Sequence, residues 1–271
     1  MNKKLFLGMA LILVLILCIT LIMIKKIKLP LEIRPGKLAL SSVLSNQALD
    51  SFKKGDLLQA KSLYQRLTSE FPKSSEMMNW QNKLEETNLK LLFSPLLTPQ
   101  SILYEIKPGD TLTKIAREFK TTVELISKSN NLKEDKILPG RKIKVWTAPF
   151  SLVVDKSQNT LILKSDEEVI KTYTVSTGIN NSTPVGNFKI LNKLINPTWF
   201  KTGRVVAPGT PDNILGSRWL GFDLSGYGIH GTTDPTNLGK QITQGCVRML
   251  NSDIEELYDI IPIGTEITIV D

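Results

Sequence analysis

The chain is short of cysteine and shorter of histidine, with two Cys and one His among 271 residues. Two Cys make at most one bridge, which excludes a disulfide framework. A structural zinc site takes about four Cys or His ligands, so zinc-finger designs are excluded as well, and no metal or organic cofactor is expected. The sequence also lacks a block of one charge. Lys and Arg number 34 against 26 Asp and Glu, for a net charge of +8, but the basic residues are scattered. A polyanionic neighbour such as anionic lipid or cell-wall polymer suits this excess, a solvated surface is the usual explanation, and no nucleic-acid partner is expected. A disordered composition is absent too, since 41% of residues are hydrophobic and 22% charged. The length suggests about two domains.

Residues 5–24 are an almost unbroken apolar run. About 20 apolar residues cross a bilayer core of roughly 30 Å. A cleavable signal has an apolar core of about 7–15 residues and small residues at its end. Here the run is longer and ends Ile22-Met23-Ile24-Lys25. An uncleaved membrane anchor is therefore expected. Lys3 and Lys4 precede it and Lys25, Lys26 and Lys28 follow, so the flanks leave its orientation open. Cys18 lies inside the run. The large Ile16 and Leu17 stand where a lipidation site has small residues, so Cys18 reads as a small apolar residue of the span.

Residues 25–44, spotted with Pro30, Pro35, Gly36, Ser41 and Ser42, read as a tether. A helical spacer is expected over 45–92. Ala48, Phe52, Leu57, Ala60, Leu63, Tyr64 and Leu67 recur at helical spacing around a Gly55-Asp56 break, Pro72 ends the second helix, and 77–91 forms a third. Residues 48–72 resemble a single tetratricopeptide repeat. One such repeat cannot bury its apolar face alone, and a plain helical hairpin spacer is the simpler reading. Residues 93–101 read as a linker.

Over 102–147 the order is strand, helix, helix, strand. Tyr104-Glu105-Ile106 alternates, Lys107-Pro108-Gly109-Asp110 turns, and Asp110 or Thr111 caps a helix bearing Leu112, Ile115, Ala116 and Phe119. Thr121-Thr122 opens the next helix, Asn130-Asn131 closes it, and Lys142-Ile143-Lys144-Val145 is the last strand. With Pro108-Gly109-Asp110-Thr111-Leu112, Asn130-Asn131-Leu132 and Leu138-Pro139-Gly140, the segment resembles a LysM domain. That resemblance implies binding of N-acetylglucosamine-containing glycan. The implied groove lies between Gly109, Asp110, Thr111 and Leu112 on one loop and Ile137, Leu138, Pro139 and Gly140 on another. All of these residues also have structural roles as turn or core formers.

From Pro149 the chain turns strand-like. Residues 152–155 and 161–164 read as a hairpin, 169–175 and 186–191 as strands, and 264–270 as a closing strand. A helix over 252–261 starts with a Ser252/Glu255 capping box. A mostly β domain, sandwich-like or partly closed, is expected over 149–271. It holds His230 and Cys246. A thiol has a free pKa of about 8.5 and is a poor nucleophile until a neighbouring imidazole takes its proton. Gly245 and Cys246 offer backbone N–H groups to an oxyanion. A lone Cys is more often a small buried hydrophobe, and spacing alone leaves catalysis at even odds.

The wider context is Val175-Ser176-Thr177-Gly178, Thr183-Pro184-Val185-Gly186, Arg218-Trp219-Leu220-Gly221, His230-Gly231-Thr232 and Thr243-Gln244-Gly245-Cys246-Val247-Arg248. These motifs resemble the YkuD-type L,D-transpeptidase catalytic domain. The resemblance implies that Cys246 is the nucleophile, that His230 is its base and acid, and that the Gly231 carbonyl orients the ring. Thr243 then shapes the loop. Arg248 either pairs with a substrate carboxylate or fixes the loop, the second being favoured. Many members carry a second His before Gly-Cys where this chain has Gln244, which leaves only a secondary role in question. Trp199 and Trp219 line the donor cleft or belong to the core. The implied donor is a peptidoglycan tetrapeptide stem. Its terminal D-alanine leaves, and the acyl group passes to an amine of another stem as a 3→3 cross-link, or to an envelope protein. Water as acceptor would make the protein an L,D-carboxypeptidase, and a wall-binding tether without catalysis is the third reading. The expected place is a bacterial cytoplasmic or inner membrane, crossed once, with the catalytic domain outside.

Overall fold

The computed structural model describes residues 35–133, 136–201 and 203–271. The expected anchor at 5–24 lies outside them, and among the described residues no helix is long and apolar enough to cross a membrane. The expected tether over 25–44 is corrected in its described part, because helix α1 runs Pro35–Lys54. Proline fits a first helical turn, where it has no partnered N–H to lose and its φ is already helical. The chain divides into two compact units, residues 1–46 and 47–271.

In the second unit, Gly55 adopts φ +79° and ends α1. A left-handed residue there costs glycine no Cβ clash, and the Asp56 N–H reaches back to the Ser51 carbonyl. The Asp56 carboxylate then accepts from the Gln59 N–H and caps α2, Leu57–Glu70. Helix α3, Met77–Leu92, packs Trp80, Leu84 and Leu91 beside Ala60, Tyr64 and Leu67 of α2.

The LysM-like segment has β1 (Ser101–Glu105), α4 (Leu112–Glu118), α5 (Val123–Ser129) and β2 (Lys142–Trp146), with the two strands antiparallel. Thr111, not Asp110, is the N-cap of α4, and Thr122 caps α5. Tyr104, Ile106, Leu112, Ile115, Ile126 and Val145 fill its small core.

The remaining strands are β3 (Phe150–Asp155), β4 (Thr160–Ser165), β5 (Glu168–Thr174), β6 (Thr177–Gly178), β7 (Gly186–Ile195), β8 (Trp199–Lys201), β9 (Arg204–Val206), β10 (Arg218–Phe222), β11 (Gly228–His230), β12 (Gln241–Thr243), β13 (Val247–Arg248) and β14 (Glu266–Val270). Eight of them form one mixed sheet in the order β13-β11-β10-β7-β14-β3-β4-β5. Burial alternates along it. Leu152, Val154, Leu161, Leu163, Ile267 and Ile269 point to one side, as the period of two in a strand requires. Helix α6, Asn251–Ile260, covers that side with Ile254, Leu257 and Ile260. The expected capping box is corrected. Ser252 lies inside the helix, the N-cap is Leu250, and no side chain caps it. The architecture is mostly β, as expected, in the form of one sheet that curls until its edges meet. Ser176, just past β5, exchanges backbone bonds of 2.7 and 2.8 Å with Arg248 on β13.

The helical segment is not a free spacer, because an edge strand presents unpaired backbone groups that need covering. Helix α3 covers β5, and the Asn88 amide donates to the Val169 carbonyl at 3.1 Å. Lys61 on α2 pairs with Glu168 at 2.7 Å. The LysM-like segment is docked too. Leu125 on α5 belongs to the core of the large sheet, and Thr122 and Lys128 both bond Asp259 on α6. The buried Lys144 amine on β2 donates to the Leu91 carbonyl (2.6 Å) and the Ser94 carbonyl (2.9 Å) at the end of α3. A cation placed there suits the negative end of the helix dipole.

Helices, LysM-like segment and sheet therefore share packing, and they should melt together. Leu125→Ala removes a side chain only 1% exposed and should cost about 2–5 kcal/mol. Calorimetry should show one transition for residues 47–271, shifted down in the variant. Two transitions, with only the smaller one shifted, would show the segments to be independent.

Candidate active site

The site follows from strand register. His230 lies opposite Trp219 on β10 and opposite Arg248 on β13, and Trp219 lies opposite Leu194 on β7. Leu194, Trp219, His230 and Arg248 thus form a straight row across four strands. Residues two apart on a strand share a face. Asn192 and Cys246, two residues from Leu194 and Arg248, therefore fall on that same side. Leu220, Ile229 and Val247, each one residue off the row, are fully buried on the other side. A cavity of about 910 Å³ opens over the row and is lined by its four side chains and by Asn192 and Cys246, together with Trp199, Tyr227, Thr243 and Gln244.

His230 is 2% exposed, and its Nδ1 lies 2.7 Å from the Gly231 carbonyl. A carbonyl only accepts, so Nδ1 carries the proton and Nε2 keeps a lone pair. Gly231 itself is packed tight. A Cβ there would meet the Asn251 amide oxygen at 2.1 Å. That oxygen accepts from the Ser217 and Thr232 N–H groups, each at 3.1 Å, and so ties the loop after His230 to the start of β10.

The nucleophile turn is held by Thr243. Its hydroxyl donates to the Cys246 carbonyl at 2.6 Å and accepts from the Gly245 N–H at 3.2 Å. Gly245 has φ +129°, and a Cβ there would lie 2.7 Å from the Tyr227 ring and 3.2 Å from the Ser182 carbonyl. One expectation is corrected here. The Gly245 N–H is engaged by Thr243, and Gly245 does not line the cavity. The half-buried Cys246 thiol donates to the Gly226 carbonyl at 3.6 Å.

Burial sets the charge state. It pushes the His230 imidazole down to about 4, helped by the Arg248 charge and opposed by the Gly231 carbonyl. Burial also pushes the Cys246 thiol up, against a backbone bond from Gly228 and the Arg248 charge. Both shifts favour a neutral thiol and a neutral imidazole at rest. Arg248 is expected either to pair with a substrate carboxylate or to fix the loop. It is the Arg248 backbone that bonds Ser176, whereas the side chain lines the cavity with a buried Nε that has no hydrogen-bond partner.

Thr243, Gln244, Cys246, His230 and Arg248 are brought together, as are both expected tryptophans. Asn192, Gly226 and Asn251 went unnoticed in the sequence. Their parts depend on pairing between strands distant in the chain, which leaves no local signal. In the LysM-like segment, the Gly140 N–H bonds the Ile106 carbonyl at 2.8 Å, which ties the turn at Gly140 to the end of β1. The Asp110 carboxylate accepts from the Lys107 N–H and the Tyr104 hydroxyl. Ile137 is half-buried against that core. Leu112 is corrected as a sugar contact, because its side chain is buried in the core. Leu138 is 71% exposed and free to touch a ligand.

Comparison with known proteins gives two family matches. The sequence model of the L,D-transpeptidase catalytic domain (YkuD) matches residues 149–269, and that of the LysM domain matches residues 104–146. The Bacillus subtilis (strain 168) protein named "Putative L,D-transpeptidase YkuD" is 34% identical over 175 residues, 62% of this chain and 98% of that protein. "Putative L,D-transpeptidase YqjB" of the same organism is 40% identical over 126 residues, 44% of this chain and 70% of that protein. Among solved structures, an L,D-transpeptidase from Mycobacterium smegmatis is similar with 18% identity and a TM-score of 0.40, over 50% of this chain and 65% of that one.

A neutral pair makes a spectroscopic prediction. At pH 7 the untagged protein should show no more thiolate absorbance near 240 nm than Cys246→Ser. A clear excess over the variant would mean a standing ion pair.

Proposed function

The chain belongs to the L,D-transpeptidase family, and we propose that Cys246 and His230 carry that activity on peptidoglycan stems by general-base attack from a neutral pair. The observation behind this reading is the row on the sheet. It sets an imidazole with an unprotonated Nε2 on the same face as a cysteine, above one cavity. Nε2 accepts the thiol proton as Sγ bonds the carbonyl carbon of the third stem residue. The oxyanion is met by the Cys246 N–H, with Gly245 adding its own only if Thr243 releases it. The C–N bond to D-alanine breaks, His230 returns the proton to the leaving amine, and a thioester remains. An acceptor amine then attacks the thioester, losing its proton to Nε2, and Sγ departs and is reprotonated. Water in place of the amine gives carboxypeptidase chemistry through the same thioester.

Arg248 is the cationic side chain lining the cavity, and its guanidinium suits a substrate carboxylate. The LysM domain holds glycan through its two adjacent loops. Because it is docked on the catalytic domain, it presents the glycan at a set position rather than on a loose leash. Residues 5–24 anchor the protein in the bacterial cytoplasmic or inner membrane, with the catalytic domain on the outer side where the stems are.

Cys246→Ala should abolish both tetrapeptide-to-tripeptide exchange and the covalent adduct that mass spectrometry detects with a carbapenem, a strained amide. His230→Asn should slow acylation by about 10²- to 10⁴-fold. In the active protein the acylation rate should hold on acidification until about pH 4 and then fall, because protonated Nε2 cannot accept. Cross-linking undiminished by Cys246→Ala would end this reading.

A further inference from the structure

His230 has an aromatic neighbour. Trp219 stands directly across the β10–β11 pair from it, and the two rings stack with centroids 6.1 Å apart and planes within 16°. The indole is held from its far side, where its Nε1 donates to the Asn192 Oδ1 at 3.1 Å. Two glycines make room for this arrangement. Gly221 and Gly228 pair with each other beside Trp219 and His230, on the same face. A Cβ at Gly228 would sit 2.7 Å from the indole, and one at Gly221 would sit 2.6 Å from Asn192 and 2.7 Å from the indole nitrogen. The ring therefore lies over a pair of residues that have no side chains, between Asn192 and the imidazole.

We propose that Trp219, steered by Asn192, is a positioning residue that fixes the plane of the His230 ring and screens it from water. This rests on His230 being the base of the proposed reaction. Nδ1 is already tied to Gly231, and one hydrogen bond leaves a ring free to swing about it. The stacked indole removes that freedom and keeps Nε2 directed into the cavity. It also removes water from one ring face, which disfavours the imidazolium. The other groups about the ring are Arg248 on β13, Cys246 just before that strand, and Tyr227 before β11, all lining the same cavity. Arg218 on β10 is turned to the opposite side, over the Tyr258 ring. Of these, Arg248 acts on the imidazole in the same direction as burial.

The protein has one histidine, so a single imidazole signal reports on it. In the untagged chain, NMR titration should place the wild-type His230 midpoint near 4. In Trp219→Ala the midpoint should rise by at least about one unit towards the free value of about 6.5. The acid limb of kcat/KM should move with it, and kcat should fall by about 10- to 100-fold with less effect on KM. Trp219→Phe, which keeps a flat ring, should retain most of the low midpoint. If Trp219→Ala does not fold, Asn192→Leu reads the same quantity through the released indole and should raise the midpoint. A folded Trp219→Ala or Asn192→Leu protein whose midpoint stays at the wild-type value overturns the proposal. Because the imidazole is observed directly, that failure is separate from a failure of Cys246 to turn over.

Discussion

Loss of water around one imidazole and one thiol is the condition on which the site depends. In water an imidazole near pH 7 is partly charged and a thiol mostly neutral. Burial drives His230 below its free value and Cys246 above its own, and both shifts favour the uncharged forms. A buried ion pair would have to recover the desolvation of two charges, which in real proteins is several kcal/mol per ion. The neutral state avoids that until a substrate carbonyl arrives and charge has somewhere to go. An unpaired thiol held neutral is also less open to oxidation outside a reducing compartment, since reactivity follows the thiolate.

The sheet supplies the geometry without long-range machinery. β13 is only two residues long and would not hold by itself. It is paired on one side with β11 and on the other with Ser176. That double pairing fixes the residue before it, Cys246, against a strand whose end is His230. The Thr243 hydroxyl then closes the turn from within, and Asn251 holds the loop beyond His230. The helical layer covers β5 and the LysM domain docks on α6 and on the end of α3, so their docking and the site share one packed body. Lys144 and Lys193 do similar work at two helix ends, each placing an amine among carbonyls that the helix leaves unpaired. Lys193 reaches those of Tyr258 and Ile261.

Much of this was legible from residue identity, because rare residues stand out. One His and one Cys beyond the apolar run leave few candidates, and their flanking motifs carry the family. The LysM order followed from turn residues and caps. Legibility failed where a contact depends on which strand lies beside which. Trp219 could be read only as lining or core, and Asn192 not at all, because their stacking and hydrogen bond need β7, β10 and β11 in register. Pro35 and Gly36 looked like tether residues because the same residue types serve turns and first helical turns. Ser252 and Glu255 mimicked a capping box one residue into a helix that begins at Asn251, whose amide is spent on other backbone. The docking of α3 on β5 was equally hidden, since a sequence does not announce which strand will be an edge.

The chemistry turns on whether the proton leaves Cys246 before the substrate arrives or during the attack. Single-turnover acylation in H₂O and D₂O decides this, at a pH well above the His230 midpoint. A neutral pair predicts a normal solvent isotope effect, with acylation slower in D₂O, because Nε2 takes the proton as Sγ attacks. Equal rates in the two solvents, with chemistry still limiting, would mean a thiolate already formed and would contradict the account.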